Sequence, residues 1–66
     1  MRIILNGSAR ELAGEPSLAD LVHQVSKAET GIAVAVNSAV VPRGSWAETA
    51  VREGDRIEVV TAVQGG

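Results

Sequence analysis

The chain has 66 residues, 45% of them hydrophobic, and carries a formal net charge of −2. A single domain of this size buries only about 60% of the surface its unfolded chain exposes, so it has little room for a walled active site beside a core. The lack of cysteine excludes disulfides and thiolate metal sites, and one histidine, His23, cannot form a metal cluster alone. With Trp46 the single aromatic residue, the core must be aliphatic. The basic residues are scattered, which disfavours a phosphate-tracking surface. No apolar run reaches membrane-spanning length and no leader pattern precedes the first elements, so a soluble, cytoplasmic protein is expected.

Met1 to Leu5 is an apolar run broken by Arg2, and Asn6-Gly7 follows. An Asn-Gly pair suits a type I′ hairpin turn, because both residues tolerate positive φ. A two-residue turn sets Arg2 opposite Glu11 and Ile4 opposite Ala9, with a return strand from Ser8 to Leu12. The other face then holds Met1, Ile3, Leu5 and Leu12, together with Arg10, a charge expected to snorkel off an edge. Gly14-Glu15-Pro16 ends this unit. Ser17 and Asp20 form a capping-box pattern, and Leu18, Leu21, Val22 and Val25 make one helical stripe. That helix is expected to fade near Ala28 and stop before Gly31.

Ile32 to Val36 is continuous, apolar and β-branched, and reads as a buried strand. Asn37-Ser38 turns the chain into a short strand at Val40-Val41, which Pro42 ends or places on an edge. Ser45 to Val51 reads as an irregular crossover around Trp46, Glu53-Gly54-Asp55 as a turn, and Ile57 to Val63 as the last strand. A hairpin, a helix across one face and a returning final strand describe an α+β, β-grasp (ubiquitin-like) domain with a mixed sheet of four to five strands. Its first and last strands are expected to lie parallel at the centre. The domain is placed at residues 1–63, with a flexible tail at 64–66.

Side-chain chemistry finds little support. His23 falls about 100° from Val22 around the helix and faces solvent or the margin of the stripe. Glu48, Glu53, Asp55 and Glu58 read as a solvated charged turn, and each glycine before the tail stands alone. No catalytic residue or metal ligand is assigned, and no bound cofactor is expected. What remains is Gly65-Gly66. Two residues without Cβ atoms can thread a narrow channel. A terminal carboxyl, with an unperturbed pKa of about 3.5, is ionised at neutral pH and is a competent nucleophile toward the α-phosphorus of ATP.

Val34-Ala35-Val36-Asn37, Val41-Pro42-Arg43 followed by Trp46-Ala47, then Val51, Gly54-Asp55, Ile57 and the closing Gly65-Gly66 together resemble the thiamin-biosynthesis sulfur carrier family over essentially the whole chain. Glu58 departs from the pattern, standing where an apolar residue is expected on the outer strand face. The resemblance implies that an adenylating enzyme of the ubiquitin-activating type consumes ATP to join AMP to Gly66. It further implies a cysteine desulfurase system as the source of sulfur for a Gly66 thiocarboxylate, and thiazole synthase as the enzyme that takes that sulfur. The chain is then a protein co-substrate, not an enzyme, and a monomer when free. Gln64, Gly65 and Gly66 are the residues expected to thread a partner's active site. Val60, Ala62 and Arg43 are the candidate docking residues, with Trp46 expected to plug one end of the core. Rival readings are the small subunit of molybdopterin synthase, whose chains look longer and richer in aromatics before Gly-Gly, a protein modifier conjugated through Gly66, and a plain interaction module.

Overall fold

The computed structural model describes residues 1–26 and 31–61. In chain order the elements are β1 (Arg2–Leu5), β2 (Ser8–Glu11), α1 (Leu18–Val25), β3 (Ile32–Val36), β4 (Ala39–Val41), a 3₁₀ helix (Arg43–Glu48) and β5 (Arg56–Thr61). The strands form one sheet in the order β2-β1-β5-β3-β4. β1 and β5 pair in parallel and every other neighbour is antiparallel. The hairpin register is the one the Asn-Gly turn dictates: Arg2 opposite Glu11 and Ile4 opposite Ala9, with φ of 48° at Asn6 and 84° at Gly7. Beyond β2, the amino terminus and the Leu12 N–H exchange hydrogen bonds with the Leu12 and Met1 carbonyls, each 2.8 Å long.

Period-two alternation sorts the side chains onto two faces. Ile3 and Leu5 of β1, Val34 of β3 and Ile57 of β5 point inward and are buried. Leu18, Leu21 and Val22 of α1 lie in the same cluster, with Leu12, Trp46 and Val51 closing its ends. Arg10, opposite Ile3 on the edge strand β2, is exposed where it sits beside Gln24 and Val25. The α1 start is a full capping box: Ser17 Oγ accepts from the Asp20 N–H, and Asp20 Oδ2 accepts from the Ser17 N–H, both at 3.1 Å.

Three sequence expectations need correction. The helix ends at Val25, earlier than Ala28, with Ser26 as an extended C-cap. Its apolar stripe stops there, and a helix of this length holds its place by packing more than by propensity. β3 is not buried on both faces: Val34 is, while Ala33 is exposed and Ala35 half-buried. The single layer of helix covers one side of the sheet only. The crossover is not wholly irregular, because Arg43–Glu48 winds as a 3₁₀ helix. The Trp46 ring anchors it, buried to 6% exposure, with Nε1–H donating to the Val41 carbonyl at 2.9 Å. The parts of the last strand expected at residues 62 and 63 lie outside the described residues.

Candidate functional site

β5 is the middle strand of five, and it leads toward Gly65-Gly66 in the sequence. Two turn asparagines, both with positive φ, bond to its backbone. At its start, the Asn37 N–H donates to the Arg56 carbonyl at 2.7 Å, Asn37 Oδ1 accepts from the Arg56 N–H at 3.0 Å, and Asn37 Nδ2 donates to Asp55 Oδ1 at 3.1 Å. Further along, the Asn6 carboxamide takes both backbone groups of Val59. β4 and β5 each run antiparallel to β3, and β1 runs parallel to β5. The ends of β1, β4 and β5 therefore gather at one end of the sheet, which carries Asn6, Arg43 and Thr61.

The outer face near that end is apolar. Val60 is 56% exposed and Val40 76%. Ala33 lies opposite Val60, while Ala35 lies opposite both Glu58 and Val40. Together with Val34 these residues line a shallow hollow of about 190 Å³, with the Glu58 carboxylate as its charged member. Continuity of apolar side chains on an exposed sheet face is a feature of interaction surfaces. Glu58, the residue that departs from the sequence pattern, therefore sits within the apolar patch.

Of the residues singled out in the sequence, Val60 lies on this face. Arg43 lies at the start of the 3₁₀ helix, its guanidinium 5.6 Å from the centre of the Trp46 ring. Ala62, Gln64, Gly65 and Gly66 lie outside the described residues. His23 is exposed on α1. The acidic residues of the turn serve the backbone: Glu53 Oε1 accepts from the Arg2 N–H at 3.0 Å, and Asp55 Oδ2 from the Arg52 N–H at 2.9 Å. Among the described residues no group of three or more His, Asp or Glu side chains comes together as a metal site. No helix among them is long and apolar enough to cross a membrane. Reading the sequence missed Ala33, Ala35 and Val40 as outward-facing residues, because an unbroken apolar run carries no mark of which face is covered. It also missed the second role of Asn6; the available signal was a carboxamide placed where a strand stops beside a longer one.

A sheet whose central strand leads to a diglycine, with an apolar patch beside the exit, is an arrangement suited to presenting a chain end to a partner. The model of the ThiS family matches residues 3–66, which includes the diglycine. The chain belongs to the ThiS family. It is 33% identical over 66 residues to the sulfur carrier protein ThiS of Escherichia coli strain K12, and the alignment covers all of both chains. It is 30% identical over 66 residues to a protein named thiazole synthase from Paramagnetospirillum magneticum, of whose length it spans 20%. The crystal structure of the thiamine biosynthesis protein ThiS from Geobacter metallireducens superposes with a TM-score of 0.84 at 25% identity, each chain covered in full. The chain is thus a ThiS sulfur carrier of thiamin biosynthesis, a protein co-substrate rather than a catalyst.

Proposed function

We propose that the reagent of this ThiS protein is the Gly66 carboxylate, carried on a tail of residues 64–66 beyond a domain that ends at residue 63. A cytoplasmic adenylating enzyme of the ubiquitin-activating type joins AMP to that carboxylate and releases pyrophosphate from ATP. A persulfide, supplied through a cysteine desulfurase system, then displaces AMP, and a thiol cleaves the resulting acyl disulfide, forming a new disulfide and leaving a thiocarboxylate. Thiazole synthase consumes the sulfur and returns the carboxylate. The observation that carries this reading is the family match running through Gly65-Gly66, which are the residues that follow the central strand. The P. magneticum relative supports thiazole synthase as the recipient, since a ThiS-like segment forms part of that polypeptide. Glycine suits the chemistry because it leaves the activated carbonyl unhindered and lets Gln64, Gly65 and Gly66 enter a narrow channel.

Docking is assigned to the outer face at Val60 and its neighbours Ala33, Ala35 and Val40, with Ala62 continuing the set in sequence and Arg43, just after β4, as a further contact. A partner fitted to this face offers apolar side chains and a cation for Glu58. The six residues that follow Val60, up to Gly66, reach at most about 22 Å when fully extended, so Val60 has to seat within that distance of the bound ATP. The test is intact-protein mass spectrometry after incubation with activating enzyme, ATP and sulfur donor. The expected product is heavier by the difference between one sulfur and one oxygen, localised to Gly66, and a chain lacking Gly66 gains nothing. An unmodified Gly66 alongside an active enzyme preparation would refute the reading.

A further inference from the structure

β1 leaves the sheet before its neighbour β5 does. Its backbone donates to β5 twice, from the Ile4 N–H to the Asp55 carbonyl and from the Asn6 N–H to the Ile57 carbonyl, each at 2.9 Å. The chain then turns at Asn6-Gly7, and no further β1 backbone is left to meet Val59. The Asn6 side chain takes its place: Oδ1 accepts from the Val59 N–H at 2.9 Å, and Nδ2 donates to the Val59 carbonyl at 3.2 Å. A carboxamide presents one acceptor and a donor pair side by side in a plane, and so satisfies both of the Val59 backbone groups that a longer β1 would have met.

The turn does not require this. A type I′ turn needs positive φ at position 6, which glycine or aspartate also provides. On its other side β5 is paired with β3 as far as Thr61, opposite Ile32. The asparagine therefore extends the two-sided pairing of β5 as far as Val59, two residues short of where its pairing with β3 ends. We propose that Asn6 is a positioning residue for the carrier reaction: its carboxamide fixes the direction in which the chain leaves the sheet toward Gly66. This inference rests on Gly66 being the reacting group. Asn6 touches no reacting atom and acts through Val59.

The test uses two full-length variants. Asn6→Gly keeps the turn and removes the rung. Asn6→Asp keeps the turn and an acceptor for the Val59 N–H, but sets a carboxylate oxygen against the Val59 carbonyl. In the isolated carrier, hydrogen exchange at the Val59 amide is expected to rise about three- to tenfold in Asn6→Gly, the worth of one lost hydrogen bond. The Val60 amide, which strand alternation turns toward β3, is the internal control and changes less than about twofold. With the activating enzyme and ATP, kcat for adenylation is expected to fall by a similar factor of about three to ten in both variants. KM stays within about twofold, because the docking face is unaltered while fewer docked carriers hold their end in line. A purely structural role would lower the melting temperature and leave kcat unchanged well below it. Unchanged Val59 exchange in Asn6→Gly, or unchanged kcat in both variants, overturns the proposal. Failure of the wild-type chain to be adenylated overturns the Gly66 reading and this role with it; the exchange measurement, which needs no partner, tells that failure apart from a missing rung.

Discussion

Val60→Ala separates the proposed docking face from the chemistry proposed for Gly66. The substitution removes about two methylene equivalents, worth about 1.6 kcal/mol if fully transferred out of water. Val60 is 56% exposed in the free carrier, so docking has that fraction left to bury. The product is about 0.9 kcal/mol, or about a fivefold weaker complex. Val60→Asp goes further, because it places an unpaired carboxylate in the buried patch on the same face as Glu58; a loss of about a hundredfold is expected. The stability of the free carrier changes little, since the side chain points away from the core: within about 0.5 kcal/mol for alanine.

The assay is steady-state adenylation with the carrier as varied substrate. KM should rise about fivefold for Val60→Ala with kcat retained, the pattern of lost binding without lost transition-state contact. Thermal melting on the same samples separates weak docking from unfolding. A KM within twofold of wild type for both variants would refute the assignment of this face, and would do so without touching the assignment of Gly66.

The remaining predictions concern the body of the carrier. Trp46→Phe deletes the hydrogen bond from Nε1 to the Val41 carbonyl and part of a ring that is 6% exposed. It should cost about 2 kcal/mol, which at a melting entropy of about 140 cal/mol/K for this chain length lowers the melting temperature by about 14 °C by circular dichroism; a fall under about 4 °C would show that the ring does not close the core. Ser38 holds φ at 73°, a left-handed conformation that costs a side chain free energy. Ser38→Gly should therefore stabilise the β3–β4 turn by about 0.5 kcal/mol, raising the melting temperature by about 3–4 °C after the entropy loss of glycine is set against the strain relieved; a lower melting temperature would count against strain at Ser38.

Local signals carried much of this architecture. Asn6-Gly7 dictated a turn type, the turn type dictated a register, and the register placed Ile3 and Leu5 inward and Arg2 against Glu11, where the two side chains meet at 3.1 Å. Ser17 and Asp20 marked the helix start for an equally local reason, since both partners of the capping box lie within one turn. The features that escaped the sequence depend on what lies across the fold. Ala33 and Ala35 look like core residues in a run of IAVAV, and only the single helix layer on one face makes them surface. The helix end at Val25 was hidden for a similar reason, because propensity runs on after packing has stopped. The 3₁₀ turn around Trp46 follows from a ring seated against β4, a contact that no spacing rule foretells.

The bonds of Asn37 and Asn6 explain why a carrier's end should follow the central strand of its sheet. An edge strand is held along one side and can peel or twist, so a tail attached to it would sample a wide cone. β5 has β1 on one side and β3 on the other. Where β1 falls short, Asn6 adds a side-chain rung at Val59; at the opposite end, Asn37 ties down Arg56 and Asp55. Each asparagine also occupies the left-handed turn position that directs its carboxamide back at β5, with φ of 48° and 50°. A group that has to reach a phosphorus atom inside another protein gains when its starting point is fixed, because each rotation removed before docking is entropy that docking no longer has to remove. On the proposed reading, the pairing of β5 and the glycines at the end serve different steps: the first sets the direction of approach, the second lets the carboxylate pass through a confined channel. On this argument Asn37→Ala, which loosens the start of β5 far from the exit, lowers stability with little effect on kcat for adenylation. Asn6→Gly also costs stability but lowers kcat as well, and equal effects of the two substitutions on kcat would show that only the overall stability of the strand matters.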